Sequence, residues 1–470
     1  MREASLPPAV PALFPPPEER ARVERWLSGE LQGAAARIQA GPVTPTIDMA
    51  HFQAELSALD FEAPRPLEQM LGWTIERLQH GIVQMGHPRY FGLFNPAANF
   101  PAQCADRIVA LFNPQLASSA SSPVPVAIES HLIRAVGRRA GMHDAGGHFA
   151  TGGSEANYTA LLCALTAAHP GFAQQGTRAF AGPVTFYTSR DCHIAWLKIA
   201  HQAGVGRAAL HLIDTDGTGR MDPTALVRAI AADRAAGAVP VMVVATAGTT
   251  GGGMIDPLVA CADIAREAQL WYHVDAAWGG AALASERLRG LLAGIERADS
   301  ITIDAHKWLA TTMSCAMFIT RHGPLLSEAF HASTSFMPSS VAGVDPYLNS
   351  MQWSRRFLGL RLFLALGAAG WAGFGAHVER SVAVVKRIEE RLVAAGWSVA
   401  NDSKLAVLDV VPPDGRDVRS LVRHVVASGR AWVAPTTFEG RDVVRICATH
   451  GESGDADVEE LVAVLNPPPG

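Results

Sequence analysis

The fold class follows from one stretch of the chain, VPVMVVATAGTTGGGMIDPLVACADIAREAQLWYHVDAA (239–277). Its first part, VMVVA (241–245), is apolar at every position, as expected for a strand that helices cover on both faces. A helical pattern over 257–269 and a second apolar run, LWYHV (270–274), come next. This order of strand, helix and strand predicts an α/β fold with parallel strands.

Three further segments predict strands of the same sheet: VTFYTS (184–189), SITIDA (300–305) and SCAMFIT (314–320). Helical patterns lie between the predicted strands, so the sheet should be mostly parallel and covered by helices. Ligands bind such sheets at the carboxyl ends of the strands. We therefore expect functional residues where these strands end.

The regions on either side have different patterns. Apolar spacing predicts helices over 18–40 and around 71–85, and a long helical stretch runs from 353 to 396. After it, LAVLDVV (405–411) and VVRICAT (443–449) predict strands, with helices over 418–428 and 455–465. We predict three domains: a helical segment over 1–90 that packs on a partner subunit, a large α/β domain over 91–352, and a small α+β domain over 353–470.

Composition excludes several classes of protein. The chain has 470 residues, of which 49% are hydrophobic and 18% charged, as in a globular protein with a large core. Its net charge of −5, without a basic run, excludes the electrostatic pattern of a nucleic-acid-binding protein. No apolar stretch is long enough to predict a membrane span. Six scattered cysteines without a CxxC pair predict reduced thiols in a cytoplasmic protein, and neither a disulfide framework nor a metal site.

Two of the strand ends carry residues typical of carbonyl-cofactor chemistry. Lys307 follows His306 at the end of a buried strand, where desolvation favours the neutral amine that forms an imine with an aldehyde. Asp275 ends the strand of HVDAAWGG (273–280), and pyridoxal phosphate needs a carboxylate at its ring nitrogen. The alternatives are a lysine that only reaches solvent and an aspartate that caps the following segment.

Three weaker candidates complete the pattern. TGGSEANY (151–158) opens a helix, so Gly153 and Ser154 could bind a phosphate at the helix N-terminus. His193 follows a strand and could stack on a cofactor ring, and Thr246 ends a strand where it could bind the cofactor or a substrate carboxylate. Each also fits an ordinary loop residue, and it is their order along the chain that favours a site.

In that order the motifs resemble the group II pyridoxal-phosphate-dependent decarboxylases, the family of aromatic L-amino acid, histidine and glutamate decarboxylases. The resemblance runs from about His87 to Val444 and is carried by HVDAAWGG, by ATAGTT (245–250) and by the spacing over 298–308. It implies fold type I of the pyridoxal enzymes, with a mostly parallel seven-stranded sheet. It also implies a homodimer with the active site at the subunit interface.

The resemblance also implies a role for each candidate residue. Lys307 would hold the cofactor as a Schiff base, Asp275 would pair with the ring nitrogen, and His193 would stack on the ring. The remaining cofactor contacts would be Thr246 and Ala277 beside the ring, Gly153, Ser154 and His306 near the phosphate, and Ser354 reaching the phosphate of the neighbouring subunit. The implied reaction decarboxylates an L-amino acid through an external aldimine and a quinonoid, and it releases the amine.

Two positions depart from the family pattern. Asp304 stands where the animal aromatic amino acid decarboxylases carry an asparagine beside the phosphate, so we expect it to be neutralised or turned away. Phe336, in the loop FHASTSFMPSSVAG (330–343), falls where the family carries a tyrosine that delivers a proton. In related plant enzymes a phenylalanine here accompanies aldehyde formation with dioxygen. An oxidative deamination that gives an aldehyde is therefore an alternative to amine release.

The substrate and the reaction class rest on fewer residues. Leu93 and Phe94, in LFNPAANF (93–100), match the segment that contacts the substrate side chain and predict an apolar wall that favours an aromatic amino acid. Aminotransfer and carbon–sulfur lysis occur on the same fold. A non-catalytic regulatory protein that binds the cofactor is a further alternative, against which the presence of Lys307, Asp275 and His193 argues.

Overall fold

The computed structural model describes residues 10–331, 345–413 and 415–466, in two compact units. One unit contains the described residues up to Tyr90, Leu421–Trp432 and the described residues from Glu452 onward, and the other contains the described residues of 91–420 and Val433–Gly451. The division into domains over 1–90, 91–352 and 353–470 stays a prediction.

The helices of the described residues are, in chain order, α1 (Val10–Leu13), α2 (Pro17–Ala40), α3 (Met49–Ser57), α4 (Leu67–Gly81), α5 (Phe100–Phe112), α6 (Pro123–Arg139), α7 (Gly153–Ala168), α8 (Phe172–Gln175), α9 (Ala195–Gln202), α10 (Pro223–Ala235), α11 (Leu258–Glu267), α12 (Gly323–Phe330), α13 (Leu360–Ala394), α14 (Val418–Ser428) and α15 (Asp455–Leu465). The strands are β1 (Gly146–Ala150), β2 (Val184–Ser189), β3 (Leu210–Ile213), β4 (Val239–Thr246), β5 (Trp271–Asp275), β6 (Ser300–Asp304), β7 (Ala316–Thr320), β8 (Ser398–Val399), β9 (Val407–Val411), β10 (Ala434–Phe438) and β11 (Arg441–Cys447).

The larger unit is built on a seven-stranded sheet with the order β1-β7-β6-β5-β4-β2-β3. Strands β3, β2, β4, β5 and β6 are parallel, and β7 runs antiparallel to both of its neighbours. The connection from β6 to β7 is short and contains no helix, and parallel neighbours need a longer crossover. The predicted α/β fold with a mostly parallel seven-stranded sheet is confirmed.

Burial explains which strands the sequence predicts well. All residues of β5, β6 and β7 are buried, as is β4 from Val241 to Thr246, and these strands appeared as apolar runs. The two edge strands, β1 and β3, were not predicted. Strand β1 begins with two glycines, and β3 has only four residues, of which the middle two are not buried. Their patterns are therefore too short and too mixed to indicate a strand.

The same unit carries a four-stranded antiparallel sheet with the order β10-β11-β9-β8. Strands β9 and β11 correspond to the two predicted C-terminal strands, and β8 and β10 were not predicted. Their pairing places Arg445 of β11 directly opposite Asp409 of β9. The helix predicted from residue 353 begins later, as α13, and contains a break at Gly370, where φ is +63°.

The smaller unit is mainly helical. Helix α2 ends at Ala40 as predicted, whereas α4 ends at Gly81 because the backbone is extended at Ile82. An ion pair of 2.7 Å joins Arg22 of α2 to Glu68 of α4. Within the described part of the chain, no helix combines the length and the apolar character that crossing a membrane requires.

Candidate active site

A cavity of about 410 Å³ lies at the carboxyl ends of the central strands. The last residues of three neighbouring strands, Thr246 of β4, Asp275 of β5 and Asp304 of β6, all line it. Parallel strands end at the same edge of a sheet, which is why residues far apart in sequence meet here. Ten of the predicted site residues line this cavity: Leu93, Phe94, Gly153, Ser154, His193, Thr246, Asp275, Ala277, His306 and Lys307.

Asp275 is held by two hydrogen bonds. The side chain of Asn157 donates to Oδ2 over 2.8 Å, and the backbone N–H of Ala277 donates to Oδ1 over 3.2 Å. Both the aspartate and the asparagine are buried. The two donors orient the carboxylate, and its remaining lone pairs can accept from a cationic group. Asn157 was not singled out from the sequence, although it lies within the quoted motif TGGSEANY.

Lys307 is half-buried and forms a small polar cluster with Asp304 and His306. Its Nζ lies 3.0 Å from Oδ2 of Asp304, and Nε2 of His306 lies 3.7 Å from the same oxygen. The other oxygen of Asp304 is buried and has no hydrogen-bond partner within residues 10–331, 345–413 and 415–466. The expectation that Asp304 would be neutralised or turned away is therefore met by an ion pair with Lys307, and the carboxylate stays on the cavity wall.

The glycine turn before α7 provides close access to the backbone. Gly153 is buried, and a Cβ atom at this position would lie 2.9 Å and 3.0 Å from the two carboxylate oxygens of Asp304. A side chain at this position would crowd Asp304, so glycine lets the start of the sixteen-residue helix α7 lie close to that carboxylate, and the first N–H groups of such a helix can bind a phosphate. Ser154 is the exposed second residue of the helix.

His193 lies shortly before α9, and its ring orientation is fixed by the chain itself. The backbone N–H of Ala195 donates to Nδ1 over 3.1 Å, so in the neutral ring the proton is carried by Nε2. The pKa of His193 is lowered, first by desolvation and next by the positive charge of Lys307. The ring therefore favours the neutral form, which suits stacking on a flat ring.

The backbone at Thr246 is fixed by a buried carboxyl group. Asp256 accepts the backbone N–H of Thr246 over 2.7 Å and that of Met221 over 2.8 Å. Burial raises the pKa of Asp256 to about 7. The hydroxyl of Thr246 is buried, lines the cavity and has no hydrogen-bond partner among the residues that the structure describes. It is thus available to a bound group.

Arg445 also lines the cavity and was not singled out from the sequence. Its guanidinium donates to the backbone carbonyls of Thr250, over 2.6 Å, and of Gly92, over 3.3 Å. The group lies 5.2 Å from the ring centroid of Phe94, and its Nε is buried with no hydrogen-bond partner among the described side chains and backbone groups. The strand VVRICAT was predicted, but alternation along a strand gives no reason to single out one charged residue.

Among the predicted site residues that the structure describes, Ser354 does not line this cavity. Ser354 is exposed and accepts a hydrogen bond from Gln115 over 3.1 Å, so its reach to a partner's phosphate stays a prediction. Phe336 lies outside the described residues.

The chain matches the family model of the pyridoxal-dependent decarboxylase conserved domain over residues 53–403. It belongs to the pyridoxal-dependent decarboxylase family. It is 34% identical to cysteine sulfinic acid decarboxylase of Mus musculus over 319 residues, which are 67% of this chain and 64% of that protein. The chain thus spans slightly less than two thirds of the length of this curated relative.

Two solved structures extend the likeness to nearly the whole chain. A crystal structure of mouse CSAD has a TM-score of 0.90 and 27% identity, and the match covers 96% of this chain and 98% of that one. A crystal structure of Oryza sativa TDC with PLP and tryptamine has a TM-score of 0.87 and 25% identity, over 95% of this chain and 96% of that one. The resemblance inferred from the sequence motifs is confirmed.

The cofactor of this family is pyridoxal phosphate, and the cavity fits it on its own chemistry. Lys307 supplies an amine, and Asp275 supplies a buried carboxylate with lone pairs left over after its two hydrogen bonds. The unpartnered hydroxyl of Thr246 and the glycine turn at Gly153 complete the set. These residues would hold the aldehyde, the ring nitrogen, a ring substituent and the phosphate.

Proposed function

We propose that this chain is a pyridoxal-phosphate-dependent decarboxylase that removes the α-carboxylate of a small L-amino acid with an acidic side chain, and releases the amine. The observation that carries the proposal is that Lys307, Asp275 and the buried Arg445 line the same cavity. The curated relative acts on cysteine sulfinic acid by its name, which agrees with an anionic side chain.

When bound, pyridoxal phosphate supplies an electron sink for the pair that is released as the Cα–carboxylate bond breaks. The chain supplies position and charge. Lys307 would hold the aldehyde and would carry a proton as the amine departs, while Asp275 would accept a hydrogen bond from the protonated ring nitrogen. The neutral ring of His193 would provide a flat surface for stacking. Orientation of this kind accounts for a large share of the rate in enzymes generally.

Arg445 suits the side chain of the substrate better than its α-carboxylate. Decarboxylation turns the α-carboxylate into neutral carbon dioxide, so an arginine paired with it would stabilise the ground state more than the transition state. A carboxylate or sulfinate at the end of the side chain keeps its charge throughout the reaction. An arginine that binds this group lowers the energy of both states and selects the substrate.

An aromatic substrate is the second candidate. Phe94 packs against Trp278 at 4.7 Å between ring centroids, and Trp278 in turn stacks on Trp308 at 4.5 Å. Leu93, Phe94 and Trp278 line the cavity, and these apolar side chains support an aromatic substrate. An aromatic side chain would bury this wall, whereas a short acidic one would leave much of it uncovered.

Product analysis separates the candidates. The purified protein, loaded with pyridoxal phosphate, is incubated with L-cysteine sulfinate, L-glutamate, L-tryptophan or L-phenylalanine, and carbon dioxide, amine, aldehyde and peroxide are measured. The proposal expects one amine per carbon dioxide, with the acidic substrates preferred by kcat/KM. Aldehyde and peroxide in equal amounts would favour oxidative deamination, and preference for tryptophan would favour the aromatic candidate. If none of these amino acids is turned over, the remaining candidate is a non-catalytic protein that binds the cofactor.

Asp409 gives a prediction for the effect of pH on substrate binding. It lies opposite Arg445, is fully buried, and neither carboxylate oxygen has a hydrogen-bond partner in the described part of the chain. Burial raises its pKa to about 8, and the positive charge of Arg445 acts in the opposite direction. Below that pH the acid is neutral and the arginine can bind an anion. Above it, the ionised aspartate competes with the substrate.

We therefore expect KM for cysteine sulfinate to rise above about pH 8, by up to about tenfold per pH unit, and to be flat at lower pH. Asp409→Asn keeps the shape of the side chain and should abolish this rise. The measurement is KM between pH 6.5 and 9.5 for both proteins, with an amino acid that has a neutral side chain as the control substrate. An unchanged profile in the variant would contradict the assignment.

The dimer is also a proposal, supported by apolar side chains on α5. Phe100, Leu111 and Phe112 are 73%, 80% and 74% exposed in the single chain. A set of large exposed apolar residues on one helix is typical of an interface. We expect Leu111→Glu to turn a dimer into a monomer in light-scattering measurements, whereas Val227→Glu, at a half-exposed position of α10, should leave the mass unchanged. A dimer that survives Leu111→Glu would place the interface elsewhere.

A further inference from the structure

Four consecutive hydrogen bonds connect the core of the sheet to Asp275. The indole N–H of Trp271 donates to Ser300 Oγ over 2.9 Å, and the same oxygen lies 2.8 Å from Nδ1 of His273. Nε2 of His273 lies 3.1 Å from Oδ1 of Asn157, whose Nδ2 donates to Asp275 over 2.8 Å. All five side chains are buried, and Asp275 and Asn157 line the cavity while His273 lies behind them.

The direction of these bonds follows from the residue types. Asp275, when ionised, can only accept, so Asn157 must turn its amino group toward it and its carbonyl toward His273. Nε2 of His273 must then carry a proton. Burial lowers the pKa of His273 to about 4, so the ring is neutral and Nδ1 is an acceptor. The hydroxyl of Ser300 therefore donates its proton to Nδ1. Thr302 Oγ1, at 3.4 Å from Nε2, is the more distant of two acceptors for its proton.

We propose that His273 is a positioning residue that acts through Asn157 on Asp275, and keeps this carboxylate oriented and ionised toward the ring nitrogen of the cofactor. His273 has no contact with the cavity, and its effect passes through one amide. A chain in which every donor points the same way polarises its members, so each bond stabilises the next. The carboxylate at the end of the chain therefore has a stronger donor than an isolated asparagine would provide.

The alternative is that His273 only fills space in the core. The two explanations differ in what a hydrogen-bonding replacement should do. A glutamine ends in a carbonyl oxygen that accepts and an NH2 group that donates, so His273→Gln can accept from Ser300 and donate to Asn157. His273→Leu has a similar volume and can do neither.

The test uses the full chain with pyridoxal phosphate labelled with ¹⁵N at the ring, and follows its NMR shift against pH. We expect the pH at which the ring nitrogen loses its proton to fall by about one unit in His273→Leu and to return to within a few tenths of a unit in His273→Gln. The dissociation constant of pyridoxal phosphate should rise about tenfold in the leucine variant, the scale of one hydrogen bond to a charged group.

Ser300→Ala provides a second readout if the leucine variant fails to fold. It removes a link that contacts neither Asp275 nor the cavity, and it should move the midpoint in the same direction by a smaller amount. The proposal is overturned if neither His273→Leu nor Ser300→Ala moves the midpoint, or if the glutamine and leucine variants shift it equally. Because these readouts do not depend on turnover, they are independent of which amino acid is the substrate.

Discussion

Replacing Lys307 with alanine is expected to remove the visible absorption of covalently bound pyridoxal phosphate, and to lower turnover by at least about 10³-fold. Lys307 provides the only amine on the cavity wall within the described part of the chain. Without it the cofactor has no covalent attachment, and the proton that accompanies release of the amine has no positioned carrier. Absorption spectra and steady-state rates measure the two effects on the same sample.

Two further variants separate the effect of losing the covalent bond from the effect of losing the positive charge beside Asp304. Alanine leaves Asp304 without the ion pair of 3.0 Å that it makes in the wild-type chain, so part of its effect could arise from a buried unpaired carboxylate. Lys307→Arg keeps the positive charge beside Asp304 and cannot form the covalent bond. We expect it to lose the visible band as completely as alanine does. Lys386→Ala, at an exposed position of α13, is the matched control. A Lys307 variant with normal absorption and turnover would refute the assignment.

Replacing Arg445 with methionine is expected to change which substrates the enzyme prefers. Charge-assisted hydrogen bonds to a buried guanidinium contribute about 1.5–3 kcal/mol, so KM for cysteine sulfinate should rise by about 10- to 150-fold. An aromatic amino acid makes no such bond, and its KM should change by no more than a few fold. The ratio of the two kcat/KM values is therefore the quantity to measure.

The variant also removes two hydrogen bonds to backbone carbonyls, those of Thr250 and Gly92. A general loosening of the cavity would weaken the binding of both substrates alike. Equal losses of kcat/KM for the two substrates would therefore count against a role of Arg445 in recognising the side chain. Cofactor absorption should stay normal, because Arg445 is not among the residues that fit the cofactor. Lysine at this position keeps the charge but cannot reach both carbonyls, so an intermediate effect is expected.

The functional residues at the strand ends could be found from the sequence because there a charged side chain directly follows a buried, apolar strand. An Asp or a Lys directly after a fully apolar run stands out, and Asp275 and Lys307 both line the cavity. Arg445 also follows two valines, but it lies within strand β11 and not at its end, since the strand continues through Ile446 and Cys447. Its partner Asp409 interrupts an apolar run and could have drawn attention as a buried acid.

Long-range pairing is what the sequence could not provide. Asn157 and His273 are 116 residues apart, and only the folded sheet brings them to hydrogen-bonding distance. The ion pair of Asp304 with Lys307 joins residues only three apart, but it depends on the turn that follows β6, so the sequence raised this question and left it open. The substrate class is the hardest property to predict from the sequence, because Phe94 and Arg445 come together only in the folded chain. Phe94 favours a substrate with an aromatic side chain, and Arg445 favours one with an acidic side chain.

Chemical reduction of the bound cofactor tests the central assignment most directly. The chain has four lysines, Lys198, Lys307, Lys386 and Lys404. Treating the pyridoxal-phosphate-loaded protein with borohydride fixes the cofactor to whichever lysine holds it, and peptide mass spectrometry then identifies that residue. We predict one phosphopyridoxyl group per chain, on Lys307. Modification of another lysine, or none at all in protein that binds the cofactor, would contradict the account.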